Sequence, residues 1–281
     1  MIYFQSKYLY LILLLLSMVF PILAQSGDMN TPAGFDSIRA DIPKGKVETL
    51  EYASKTVGTD RKVTIYTPPG FSRDRKYNVL YLLHGIGGDE TEWYYHGKPN
   101  VIFDNLYARE KLEPMIVVMP NGRAMKDDRA GDNIFDKEKI RAFSDFENDL
   151  LDDLIPFVEA NYPVYKDRNN RALAGLSMGG GQALNFGLGH LETFAWIGAF
   201  SPAPNTRVPE KLVPRPGKAI RNLRLLWISC GQEDELLYIS ERTHQYLAKK
   251  GIPHTYYVEP GQHDFSVWRN DLYQFSQLLF R

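Results

Sequence analysis

The sequence predicts an α/β fold, a mostly parallel central sheet with helices on both faces. Three observations carry that expectation. Apolar runs of strand length alternate with segments of helical spacing along most of the chain, the order that successive βα units produce. "YNVLYLLHG" and "PMIVVMPNG" are apolar almost throughout, as strands buried on both faces are. Between two further segments, "LAGLSMGGGQALNFG" passes from a short strand into a helix around one serine and five glycines.

In chain order, Lys7 precedes the apolar run "YLYLILLLLSMVFPIL", and "AQSG" follows it. A basic start, an apolar stretch and then small residues are the layout of a signal peptide, here residues 1–24 with cleavage near Ala24. The mature protein is therefore expected to be secreted or periplasmic, free of the membrane after cleavage. Residues 25–45 read as a loose lead-in, and 46–281 as one catalytic-sized domain. "KVETLEYAS" and "RKVTIYTPPG" alternate apolar and polar residues like antiparallel edge strands. "VIFDNLYARE" has helical spacing.

"SDFENDLLDDLIPFVEANY" predicts a helix whose apolar face is Phe146, Leu150, Leu151, Leu154, Ile155 and Val158. Ser144 with Glu147 three residues on reads as a capping box at its start. Glu147, Asp149, Asp152 and Asp153 then fall on a solvated face. "RALAGLS", "TFAWIGAFS", "LRLLWISCG" and "HTYYVEPG" are the later strands, with helices over "MGGGQALNFGLGH", "ELLYISERTHQYLAKKG" and "DFSVWRNDLYQFSQLLF". Residues 123–142 and 201–222 lack periodicity, and such long insertions often shape binding sites.

With 33 basic and 34 acidic residues the formal net charge is -1, which gives no support for nucleic-acid binding. Cys230 is the only cysteine, so it forms neither an internal disulfide nor a thiolate zinc site, and it reads as a buried structural thiol. The acids of the 127–132 loop match no metal-binding spacing, and neither a metal nor a cofactor is expected. Nothing in the sequence sets the oligomeric state.

Gly175-Leu176-Ser177-Met178-Gly179 fits G-x-S-x-G between a strand and a helix, the context that a nucleophile elbow requires. A hydroxyl on so tight a turn stands clear of the sheet, and only small neighbours fit its bent backbone. Serine needs a base to take its proton. Of the six histidines, His244 and His254 lie on regular elements and His190 closes the elbow helix. His263 sits in a loop after the last strand, at the sheet edge where Ser177 emerges. The third member, an acid that holds the imidazole tautomer, falls in "LLWISCGQEDEL", where spacing alone does not choose among Glu233, Asp234 and Glu235. His84-Gly85-Ile86-Gly87-Gly88 can aim a backbone N–H at a substrate oxygen. Ile86 is the expected donor, with a neighbour on either side open, and Met178 is the other; His84 reads as structural in this turn. Trp93, Tyr94, Tyr95 and Trp268 are candidate walls of a substrate groove.

Five stretches, "LYLLHGIGGDETEW", "ALAGLSMGGGQALNFGL", "SPAPNT", "SCGQEDELLY" and "GQHDFSVWRNDLYQF", resemble the esterase D-like enzymes of carbohydrate esterase family 1, above all feruloyl esterase domains found on xylanases. The resemblance runs from about residue 45 to the end and implies an α/β-hydrolase fold. It places the acid at Asp234 through a "CG-x-x-D" turn, the histidine at His263 through "G-x-H-D-F-x-x-W", and the serine at Ser177. It implies cofactor-free hydrolysis of hydroxycinnamoyl esters, with feruloylated xylan or xylo-oligosaccharide as the partner. No carbohydrate-binding or docking module is expected beside the domain. Competing readings are an acetyl-xylan or other small-acyl esterase, an acyltransferase, and a non-catalytic carbohydrate-binding protein, against which the three matched residues weigh.

Overall fold

The computed structural model describes residues 31–281, so the expected signal peptide lies outside the described residues. Eight strands form one sheet: β1 (Lys46–Ser54), β2 (Thr59–Thr67), β3 (Asn78–Leu83), β4 (Met115–Pro120), β5 (Arg171–Leu176), β6 (Trp196–Phe200), β7 (Leu225–Gly231) and β8 (Thr255–Glu259). Their spatial order is β1-β2-β4-β3-β5-β6-β7-β8. β2 runs antiparallel to both β1 and β4, and all other pairs are parallel. Every residue of β4, β5 and β6 is buried, which is why those segments carry no polar alternation.

Helices cover both faces, as expected of an α/β-hydrolase. On one side α1 (Pro99–Tyr107) and α8 (Phe265–Ser276) bury Ile102, Phe103, Leu272 and Phe275 against the sheet. On the other lie α2 (Lys137–Asn148), a π-helical stretch from Asp149 to Leu154, α3 (Ile155–Asn161) and α4 (Ser177–Gly189). Beyond them, α5 (Pro209–Leu212), α6 (Pro216–Asn222) and α7 (Leu237–Lys249) pack around Ile197, Leu226 and Ile228.

Three local expectations are corrected. The helix that carries Phe146 starts at Lys137, capped by the Asp136 carboxylate, which accepts from the Glu138 and Lys139 N–H groups. Ser144 and Glu147 therefore lie inside it, and their spacing is not a capping box. Two of the acids assigned to a solvated face are buried. Asp149 pairs with the buried Arg61 and accepts from the Tyr52 hydroxyl at 2.5 Å, and Asp153 accepts from the Thr56 N–H at 2.9 Å. Those partners sit on the β1–β2 hairpin, nearly a hundred residues away in sequence, so periodicity within the helix could not reveal them.

The lead-in is not loose over its described part. Asn105 donates to the Phe35 and Ser37 carbonyls at 2.8 and 2.9 Å, Phe35 meets Tyr273 edge-on at 5.1 Å, and Asp36 pairs with Arg269 at 3.3 Å. No helix among the described residues is long and apolar enough to cross a membrane.

Candidate active site

The parallel strands deliver the chemistry to one edge. β5 ends at Leu176, and Ser177 follows with a φ of 50°, in the left-handed region, as the first residue of α4. Holding an L-residue there costs on the order of 1–3 kcal/mol, so the surroundings must enforce it. They do so by close approach. A Cβ at Gly175 would lie 2.6 Å from the Gly179 carbonyl, and one at Gly179 would lie 2.6 Å from the Leu83 and His84 carbonyl oxygens. The loop after β6 secures the turn from the far side. The Ala203 N–H donates to the Ser177 carbonyl at 3.0 Å, and the Asn205 amide donates to the Met178 carbonyl at 2.9 Å.

His263 follows β8 and immediately precedes Asp264, which caps α8 by accepting from the Ser266 N–H at 2.8 Å. The imidazole bridges two partners. Its Nε2 lies 2.9 Å from Ser177 Oγ, and its Nδ1 lies 2.7 Å from Asp234 Oδ2. The remaining oxygen of Asp234 accepts from the Leu236 N–H at 2.8 Å. The three acids left open by spacing are thus separated by structure. Asp234 is buried and faces His263, whereas Glu233 is exposed and clasps the Gly261 N–H, and Glu235 is exposed.

Burial pushes the Asp234 carboxyl upward, but the bonds from His263 and the Leu236 N–H outweigh it and hold its pKa below the ordinary value. Cys230 lies beneath, its Sγ 3.4 Å from Asp234 Oδ2, and burial raises its thiol to about 12. At neutral pH it is an inert packing group.

The loop after β3 lies against the elbow. A Cβ at Gly85 would sit 2.9 Å from Leu176 and 3.6 Å from Ser177 Cβ. His84 is buried beneath it. Its Nε2 accepts from the Gly122 N–H at 2.7 Å, so its proton resides on Nδ1, 2.6 Å from the Gly85 carbonyl oxygen. Burial lowers the pKa of this ring and keeps it neutral. The Gly85 carbonyl and the Ile86 N–H belong to one peptide plane and point oppositely, so His84 fixes where that N–H aims. The Arg123 guanidinium accepts no such ambiguity in the next plane: its Nη2 donates to the Ile86 carbonyl at 2.5 Å. Among the described residues the Ile86 and Met178 N–H groups donate to no protein acceptor.

Sequence reasoning missed Arg123, Phe143 and Leu236. Arg123 and Phe143 lie in or beside the 123–142 insertion, and only its lack of periodicity hinted at a role. Phe143, Met178 and Ala203, with Ile86 and Leu236 packed on them, form an apolar cluster around the serine. Leu236 also lines an adjoining cleft of about 480 Å³, together with Glu233, Glu235, Gln262, His263 and Asp264.

Two candidate groove walls are corrected. Trp93 is buried and donates from Nε1 to the Leu83 carbonyl at 2.9 Å, so it is packing beneath the β3 loop. Trp268 is buried with its ring perpendicular to His263 at 4.9 Å, a prop behind the imidazole. Tyr94 and Tyr95 form an edge-on pair at 5.1 Å, and Tyr95 is exposed.

Comparison with known proteins gives this geometry a family. The model of the Esterase family matches residues 54–279. An endo-1,4-beta-xylanase/feruloyl esterase of Xylanibacter ruminicola is 32% identical over 254 residues, 88% of this chain. The chain spans only 33% of that relative's length. A solved ferulic acid esterase is 29% identical with a TM-score of 0.72, covering 84% of this chain and 97% of its own. A CE1 ferulic acid esterase from Anaeromyces mucronatus, solved with ferulic acid, shares the fold at a TM-score of 0.79 and 24% identity, over 90% of this chain and 97% of its own. A serine, an imidazole and a carboxylate in one hydrogen-bonded line, on the shared fold and within the matched region, lead to one conclusion: the chain belongs to the Esterase family.

Proposed function

We propose that this protein hydrolyses feruloyl and related hydroxycinnamoyl esters on arabinoxylan-type polysaccharides through an acyl-Ser177 intermediate. The observation that carries the chemistry is the placement of His263 between Ser177 and Asp234, at 2.9 and 2.7 Å. Ser177 Oγ attacks the ester carbonyl while its proton passes to His263 Nε2. Asp234 accepts from Nδ1–H and stabilises the imidazolium. The carbonyl oxygen, now negative, accepts from the Ile86 and Met178 N–H groups, which donate to no acceptor among the described residues. Collapse breaks the bond to the sugar oxygen, which leaves with the proton from His263. Water then repeats the sequence, releasing the acid and restoring the serine.

The acyl preference is supported by two things. The relatives named above are a feruloyl esterase and ferulic acid esterases. The partly exposed Ile86 and Leu236, packed on the buried Phe143 and Met178 beside Ser177, offer an apolar surface for a flat aryl chain. Export through a cleaved signal peptide is part of the same proposal and rests on the basic start, apolar run and small residues before residue 28. The test is release of ferulate, coumarate and acetate from defined xylan oligomers. Ferulate and coumarate should dominate; release of acetate alone would end the feruloyl assignment and leave the mechanism standing.

A further inference from the structure

A second cleft, of about 330 Å³, opens between α4 and the segment 207–218, away from Ser177. Asn185, eight residues along α4 from Ser177, lines it, which puts its near end about 12 Å along that helix at 1.5 Å per residue. Its floor is aliphatic, with Leu188, Leu212 and Val213, and no aromatic side chain lines it. Four cations, Arg207, Lys211, Arg215 and Lys218, surround that floor. In a chain of formal charge -1, such a gathering is local rather than a general basic surface.

The four are not equally engaged. Arg207 pairs with Glu147 at 3.6 Å and Lys218 with Glu192 at 3.1 Å, both acids also meeting His190. Lys211 and Arg215 have no acidic partner among the described residues. The backbone beneath them is held in place. The Arg207 N–H donates to the Asn185 side chain at 3.0 Å, and the Asn185 amide donates to the Asn205 carbonyl at 3.0 Å. Asn205 in turn bonds the Met178 carbonyl, so the cleft and the elbow share one rigid connection.

We infer that this cleft is a binding subsite for a carboxylate-bearing sugar, a uronate carried on the same polysaccharide whose ester reaches Ser177. The inference rests on the proposed polysaccharide substrate. The C–H face of a pyranose suits the aliphatic floor, and its carboxylate suits the two unpaired cations. A free aryl carboxylate is the less favoured occupant, because the cleft offers no ring to stack on and is broadly open to solvent.

The experiment uses the Ser177→Ala protein, which binds without turnover, and two xylo-oligosaccharides of equal length, one neutral and one carrying a single glucuronate. The acidic ligand should bind about tenfold more tightly at low salt, a preference that fades as salt is raised. Adding Lys211→Gln and Arg215→Gln should remove the preference while leaving affinity for the neutral ligand, and turnover of methyl ferulate in the Ser177 enzyme, unchanged. Equal affinity for the two oligosaccharides would overturn the subsite, as would a preference that survives the double substitution. Displacement of the acidic ligand by ferulate alone at comparable concentration would reassign the cleft to the product acid and overturn the uronate. Loss of methyl ferulate turnover in the Ser177 enzyme itself would instead strike the esterase reading.

Discussion

Two buried carboxylates, Asp234 and Asp149, each accept a strong bond from a nitrogen base, and only one stands in a reacting site. Asp234 meets His263, whose side chain is 31% exposed and whose other nitrogen reaches Ser177. Asp149 meets Arg61, which is 1% exposed and also donates to the Tyr52 hydroxyl and to the Asn121 and Arg123 carbonyls. The partner makes the difference. A guanidinium never gives up its proton under these conditions, so the Asp149 pair can only hold structure. An imidazole can take a proton on one nitrogen while donating from the other, so the Asp234 pair can pass one on. Burial of an acid therefore marks neither function nor architecture until the titration of its neighbour is known.

That contrast is broken most severely at Asp234. Asp234→Asn should lower kcat by about 10⁴-fold, the scale seen when a triad acid loses its charge, with little change in folding. Near-normal turnover would move the acid to Glu233 or Glu235. Asp149→Asn should do the opposite. Removing this charge from beside the buried Arg61, which keeps Asp128 at 3.6 Å, should cost about 1–3 kcal/mol of stability in urea titration, while the protein that stays folded keeps its turnover. A stable variant with lost activity would erase the distinction.

A smaller effect is expected at His84, which sharpens the comparison by acting on neither carboxylate. His84→Leu frees the Gly85 carbonyl, so kcat should fall roughly tenfold to a hundredfold, less than complete loss of an oxyanion donor, with KM nearly constant. His84→Asn, which keeps a donor near the Nδ1 position, should recover part of that loss.

A third buried acid supplies the smallest effect. Asp271 has no cation beside it among the described residues, and burial, with Glu259 nearby, raises its pKa well above the usual value. A carboxyl whose folded pKa is raised holds its proton to higher pH when folded, while the unfolded chain ionises above pH ~4. Its presence therefore costs stability that grows as pH rises from there toward the folded pKa. Asp271→Asn should raise the melting temperature by about a few degrees at pH 8 and leave it unchanged at pH 4. Asp234 behaves with the reverse sign. Its lowered pKa contributes stability above pH ~4 that is lost only as pH falls through the folded value.

The same contrast explains how far the sequence could be read. Ser177 was legible because its signal is local: a strand, five close residues and a helix, with glycines where the backbones nearly touch. His263 and Asp234 were legible through chain order and the family's turns. Trp93 and Trp268 were misplaced because an aromatic near a site reads alike whether it faces a groove or props a histidine. The Arg61–Asp149 pair was hidden because its halves come from elements far apart in the chain. The start of α2 was hidden because its first turns are mostly exposed, so they show no apolar stripe. Arg123 carried no local signal at all, since its hold on the Ile86 carbonyl exists only once the β3 and β4 loops meet.

The central claim, that hydrolysis passes through an ester on Ser177, is tested most directly by mass spectrometry of the protein quenched in acid during turnover of a slow feruloyl ester. One acyl group per chain is expected, located on the peptide that contains Ser177 and absent after Ser177→Ala, which should also abolish turnover. Steady hydrolysis by the alanine variant, or an acyl group carried on any other residue, would contradict it.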